Sequence, residues 1–220
     1  MIFEGLLVFL VVTFFSYTSN IPPGFVNVKV IETSLFRGYR NGVKVALGAA
    51  IAELSYCAAA ILTALFLRQF PILFYGINVL VAIVLIILAY KYFTGKSYAE
   101  QIEAAQIEFK DDNKKRNYYL FGAGVGFLNP QMFPFWFIFY TGMFMPSFTI
   151  DYRSSYYIFV IGAICGGFGL LWTYAFFAAK YRRKIFDMFR RYDINKYVGW
   201  MFLVMAVIKI VDLVVKFPWK

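Results

Sequence analysis

The amino-acid sequence predicts an all-α integral membrane protein with six transmembrane helices. Hydrophobic side chains make up 61% of the 220 residues and charged ones only 15%, with a mean hydropathy of +0.66. Soluble domains carry about 25% charged residues. Several nearly uncharged runs are long enough to cross the roughly 30 Å of hydrocarbon in a bilayer. These features predict a single transmembrane domain.

The apolar runs define six predicted spans. The least distinct boundary separates the second span from the third, where Arg68, Gln69 and Pro71 predict a turn. The predicted spans cover about residues 3–19, 42–67, 72–90, 118–145, 156–179 and 197–215.

The distribution of basic residues predicts how the chain crosses the membrane. The loops after the first, third and fifth spans hold most of the 22 lysine and arginine residues. Because such loops stay in the cytoplasm, we expect both termini outside, in a bacterial-type inner membrane. The net charge of +10 favours anionic lipid headgroups over nucleic acid, since the basic residues form no stripe on an amphipathic soluble helix.

Proline-containing segments recur at equivalent places in the two halves. Asn20–Gly24 follows the first span, and Asn129-Pro130 lies in the fourth. Because each half has three spans, the second half is inverted relative to the first, as in many secondary transporters. We predict two inverted three-helix repeats with the first and fourth helices broken at proline. The repeats cover about 1–93 and 118–220, with a cytoplasmic connector at about 94–117.

The two breaks are the candidate solute site. Proline removes a backbone donor, so a break exposes polar groups that lipid cannot satisfy and that can bind a solute. In the alternative interpretation, the prolines only end or kink the helices. The predicted substrate-binding residues are Pro22, Pro23, Gly24, Asn129, Pro130 and Gln131.

Glu53 is the candidate proton carrier. It lies nine positions beyond Lys44, and therefore about 13 Å into the membrane at roughly 1.5 Å per residue. An acid at that depth is costly to ionise, which indicates a functional role. Pairing with a lysine, or capping of loose backbone, is the structural alternative.

The sequence predicts no cofactor, no metal and no enzymatic activity. It contains no histidine, the commonest metal ligand and general base. Cys57 and Cys165 lie in separate apolar runs without a CxxC motif. Their places in the second and fifth spans leave open a membrane electron carrier that uses both thiols.

Several short motifs resemble the LysE-type translocators, the lysine and threonine exporter family. Pro22-Pro23-Gly24 is similar to the family's Pro-Gly-Pro, and Asn129-Pro130 to its Asn-Pro-Lys. The resemblance covers nearly the whole chain in span pattern. The permuted first motif, and Gln131 in place of lysine, point away from the family's typical basic or small amino acids. The other matching positions are Arg37, Gly38, Arg40, Gly42, Gly48, Glu53 and Gly126.

The resemblance implies a secondary exporter of an amino acid or similar small metabolite, driven by the proton gradient. Glu53 would carry the proton, and the two breaks would form the solute site near the middle of the bilayer. Two other classes stay open, the electron carrier and a structural or assembly factor that needs only packed glycines and aromatics. A metal or cation exporter is a variant that the lack of histidine weakens. Assembly into a homo-oligomer is also left open.

Overall fold

The computed structural model describes residues 2–21, 24–67, 69–95, 100, 116–129, 131–144, 152–182, 184–185, 187 and 194–216. Pro22, Pro23, Pro130 and most of the predicted connector lie outside these residues. Within them, every regular element is helical.

The described helices follow one another with short links. They are α1 (Ile2–Ser19), α2 (Phe25–Arg37), α3 (Tyr39–Leu67), α4 (Pro71–Thr94), α5 (Tyr118–Phe127), α6 (Met132–Phe139), α7 (Tyr152–Lys180) and α8 (Ile194–Lys216). A π-helical turn, Tyr140–Phe144, directly continues α6.

Among the described residues, four helices are long and apolar enough to cross a membrane. They are Tyr39–Leu67, Pro71–Thr94, Tyr156–Lys180 and Asn195–Val215, and Glu4–Ser19 is a shorter apolar helix. The predicted fourth span is not one continuous α-helix, because α5 ends at Phe127 and α6 begins at Met132. The helical path is therefore interrupted at both predicted breaks.

One helix lies where we predicted a cytoplasmic loop. Phe25–Arg37 forms α2, in which nine of the ten residues from Val26 to Leu35 are buried. The loop prediction was wrong because Lys29 and Glu32 make the segment look polar. In the structure they form an ion pair that neutralises both charges inside the helix.

The chain divides into two compact units. The first comprises Met1–Ser55, Lys96–Asn129 and Ile150–Ile194, and the second comprises Tyr56–Gly95, Pro130–Thr149 and Asn195–Lys220. The amino-terminal part of α3 therefore belongs to the first unit, together with α1, α2, α5 and α7.

Glycines allow the helices of the first unit to approach closely. Gly122 of α5 packs on the Val45 backbone, and Gly126 packs on Ala49 and Ala52. Since later residues of α5 meet later residues of α3, the two helices run in the same direction. Close packing through small residues is typical of helices in membranes, where backbones can come near each other.

The link between α2 and α3 reverses the chain at one residue. Gly38 has a φ of 88°, a left-handed conformation that favours glycine. Beyond this turn Gly42 packs against the Ser34 side chain, so that α2 and α3 form an antiparallel hairpin. On the other side of the unit, α7 runs in the same direction as α1, since Gly162 meets Val12 and Gly166 meets Ser16.

Aromatic contacts hold the second unit together. Phe74 of α4 lies 6.1 Å from Phe137 of α6, measured between ring centroids. Tyr92 stacks on Phe202 of α8 at 5.5 Å. The Asn195 side-chain amide donates to the Gly95 carbonyl at 3.4 Å, which joins the start of α8 to the end of α4.

Replacing Gly122 by alanine tests the close approach of α3 and α5. The new methyl group would overlap the Val45 carbonyl oxygen, so the backbone must shift at a cost on the order of 1–3 kcal/mol. We expect a lower melting temperature for the purified protein in detergent. Gly124→Ala in the same helix is the control, because nothing lies within 4 Å of its position. Equal melting temperatures for the two variants would contradict the packing described.

Candidate functional site

Glu53 is buried in the middle of α3. Its side chain is 2% exposed, and among the described residues its Oε1 atom has no hydrogen-bond partner. The carboxylate lies against α7 at Gly167, where a Cβ atom would overlap both carboxylate oxygens. The absence of a side chain at Gly167 therefore supplies the space that Glu53 occupies.

Two asparagines bond the backbone at the first break. The Asn20 side-chain amide donates to the Ser16 carbonyl at 2.8 Å, and the Asn27 amide donates to the Asn20 carbonyl at 2.8 Å. The last carbonyls of a helix have no partner within the helix, and here side chains supply it. The chain then passes through Gly24, which is buried and extended, with φ −79° and ψ −177°.

Side chains of α7 hold the same break from the other side. The Tyr174 hydroxyl donates to the Ile21 carbonyl. The Tyr17 hydroxyl donates to Thr173 Oγ1 at 3.2 Å. Ser16 Oγ donates to the Ala163 carbonyl at 2.7 Å. These three hydrogen bonds fix the end of α1 to α7 over more than two turns of α7, from Ala163 to Tyr174.

The second break begins at Asn129, directly after α5. Its side chain is 2% exposed, and its backbone N–H donates to the Gly126 carbonyl at 3.1 Å. Gln131 follows two positions later in the chain and belongs to the second unit. There the Tyr92 hydroxyl donates to Gln131 Oε1 at 3.4 Å.

Contacts within the first unit place Glu53 near the end of α5. Gly126 packs on Ala49 and Ala52 of α3, and the Asn129 N–H donates to the Gly126 carbonyl. Because the two helices run in the same direction and each residue adds about 1.5 Å, Asn129 lies close to the level of Glu53.

The first break meets α7 at a different level. Glu53 lies against Gly167, whereas the Ile21 carbonyl accepts from Tyr174, seven positions later in α7. The two contacts are therefore about two helical turns apart.

The arrangement combines a buried acid with the polar groups at the end of an interrupted helix. A carboxylate in such surroundings can exchange a proton, and an amide near it can bind a polar solute. Of the predicted residues, Glu53 and Asn129 come close to one level, and the first break contacts α7 about two turns away.

Sequence reasoning missed the part played by α7. Gly167 is not among the predicted site residues, although an internal signal could have singled it out. Leu47-Gly48-Ala49-Ala50 is similar to Ile161-Gly162-Ala163-Ile164, and Glu53 and Gly167 lie six positions after Leu47 and Ile161. The hydroxyl contacts of Thr173 and Tyr174 are tertiary and leave no pattern in the sequence.

A double-mutant cycle tests whether Gly167 makes room for Glu53. Gly167→Ala should destabilise the protein by on the order of 1–3 kcal/mol through the overlap. In a Glu53→Ala background the same substitution should cost almost nothing, because the overlapping oxygens are gone. Thermal melting of the four purified proteins measures the coupling. Gly169→Ala, whose nearest neighbours are Tyr17 ring atoms at 3.7 and 3.9 Å, should show no such dependence. An equal cost in both backgrounds would refute the contact.

Comparison with known proteins agrees with the geometry. No curated protein sequence and no solved structure matches the chain. The family described as LysE type translocator matches residues 17–212. This range includes both breaks, Glu53 and Gly167, and the predicted resemblance is confirmed. The family consists of transporters rather than enzymes. The chain therefore belongs to the LysE-type translocator family and is a multi-pass membrane transport protein.

Proposed function

We propose that this protein is a secondary active transporter that exports an amino acid or similar small metabolite in exchange for protons. The observation that carries the proposal is the Glu53 carboxylate, buried to 2% exposure near the end of α5, where the predicted fourth span is interrupted. The membrane we propose is the inner membrane, with both termini outside the cytoplasm, because most basic residues lie in the loops that then face the cytoplasm.

Element lengths support two inverted repeats. Both α3 and α7 have 29 residues, and α4 and α8 have 24 and 23. The 13 residues of α2 correspond to the 8 of α6 and the 5 of the π-helical turn. Since α5 runs with α3, which is antiparallel to α2, α5 also runs opposite to α2. Alternating exposure of a central site follows naturally from such symmetry.

The surroundings of Glu53 favour competition between proton and solute. Within the part of the chain that the structure describes, no donor reaches Glu53 Oε1, and a carboxylate without donors is costly to ionise in an apolar medium. A solute that brings a cationic or donor group close to the carboxylate stabilises the ionised form instead. Binding of solute therefore releases the proton, and binding of the proton releases the solute. Such competition gives antiport, in which inward proton flow drives export.

Replacing Glu53 by glutamine should separate proton coupling from folding. In cells loaded with labelled amino acids, efflux driven by an acidic outside medium should fall at least tenfold, because glutamine cannot bind or release the proton. Glu53→Asp should retain part of the efflux. Glu4→Gln is the control, since Glu4 is an exposed acid in α1. Undiminished pH-driven efflux in Glu53→Gln would end the proposed role.

Cysteine chemistry distinguishes transport from the two other functions considered. Cys57 is buried and Cys165 is exposed, and a Cys57→Ser, Cys165→Ser protein should keep full efflux. Loss of activity would favour a thiol electron carrier. In this background, a cysteine at Glu53 or Asn129 should react with a water-soluble thiol reagent through a hydrated cavity. A cysteine at Leu85, which is fully buried in α4, should not. Lack of reaction at both site positions would favour a structural factor.

A further inference from the structure

A second pair of charges lies inside the first unit, within α2. Lys29 Nζ donates to Glu32 Oε2 at 2.7 Å. The Glu32 side chain is fully buried, whereas the Lys29 side chain is 23% exposed. The Lys29 ammonium is therefore accessible to another molecule, whereas the Glu32 carboxylate is not.

The pair occupies the face of α2 that points away from α3. At roughly 100° per residue, Lys29 and Glu32 lie about 140° and 160° around the helix from Ser34, which contacts Gly42 of α3. The same face continues one turn further to Phe36. The Arg182 guanidinium lies over the Phe36 ring at 5.5 Å. The face thus carries two accessible cations and one concealed carboxylate.

The free-energy cost of burying the Lys29–Glu32 ion pair argues against a purely structural role for it. Taking two charges out of water costs several kcal/mol per ion, and apolar residues of similar volume often replace such a pair without loss of stability. Ionisable residues at membrane depth are typical of solute and ion pathways. A partly exposed ammonium with a buried counter-ion is an arrangement that a second anion can join.

We infer that Lys29 is the residue that binds the carboxylate of the transported solute, and that Glu32 is a positioning residue which holds the ammonium when no solute is bound. This inference rests on the proposed function and assigns a residue to the carboxylate that such a solute carries. The Lys29 ammonium has three N–H donors, so the solute carboxylate can accept from a second one while Glu32 Oε2 keeps the first.

Register relates Lys29 to the candidate proton carrier. Counted from the Gly38 turn, Lys29 is nine residues along α2 and Glu53 is fifteen residues along α3. At about 1.5 Å per residue, Lys29 therefore lies about 9 Å closer to the turn than Glu53 does. In the proposed orientation that turn faces the cytoplasm. A solute entering from the cytoplasm meets Lys29 first and Glu53 second, which is the order that export requires.

Paired ligands test the inference on the purified full-length protein. L-leucine and L-threonine carry a free carboxylate, whereas L-leucinamide and L-threoninamide do not. We expect the two acids, and not the amides, to raise the melting temperature of the wild-type protein in detergent. Lys29→Gln should abolish this shift, and Lys29→Arg should retain most of it. In vesicles of phosphatidylethanolamine and phosphatidylglycerol, Lys29→Gln should raise the KM for transport at least tenfold.

Two further variants control for misfolding and for general effects of charge. Lys29→Met combined with Glu32→Met removes both charges together, and it should fold yet fail to discriminate acids from amides. Lys209→Gln is the matched control, because Lys209 forms an ion pair of the same spacing with Asp212 in α8, at 3.8 Å. This variant should behave like the wild type towards the acids.

The outcomes separate this inference from the proposed function. Transport by the wild type with an unchanged KM in Lys29→Gln would overturn the role of Lys29 and leave the exporter in place. Acid-specific binding that is lost in Lys29→Gln, without transport by the wild type, would overturn the exporter and support Lys29. Equal stabilisation by acids and amides, or no stabilisation by either, would overturn the role of Lys29.

Discussion

The structure depends above all on the need to bond every backbone polar group inside the protein, since lipid offers no hydrogen bonds. A continuous helix meets this need by itself, but a broken one does not. At the first break the protein meets it with two asparagine amides and with the Tyr174 hydroxyl of α7, which donates to the Ile21 carbonyl. Both the local asparagines and the neighbouring α7 therefore stabilise the interruption.

Glycines allow α7 to approach α1 and α3 closely enough to make these contacts. Gly162 and Gly166 allow α7 to lie on α1, and Gly167 leaves room for the Glu53 carboxylate. A methyl group at this last position would occupy the volume of the acid. The same short stretch of α7 therefore secures the broken backbone and shapes the surroundings of the buried carboxylate, so that stability and transport chemistry share one set of contacts.

Much of the membrane architecture could be predicted, because hydrophobic length and charge distribution are local properties of the sequence. The long helices α3, α4, α7 and α8 correspond to predicted spans, and the two proline segments to interruptions of the helical path. Burial of Glu53 followed from its distance to Lys44. The helix α2 was not predicted, since its polar residues suggest a loop, whereas in the structure Lys29 and Glu32 form an ion pair. The relation between Glu53 and Gly167 depends on two helices far apart in the chain, and only the weak internal repeat hints at it.

The turn at Gly38 has a mechanical consequence. A single residue with a φ of 88° joins α2 to α3, and Gly42 seats the start of α3 directly on Ser34, so the link contains no slack. Because so short a link leaves the two helices little freedom to separate, a movement of α2 would carry the start of α3 with it. Lys29 and Glu53 lie on the two arms of this hairpin, so a displacement of either arm would change the positions of both side chains.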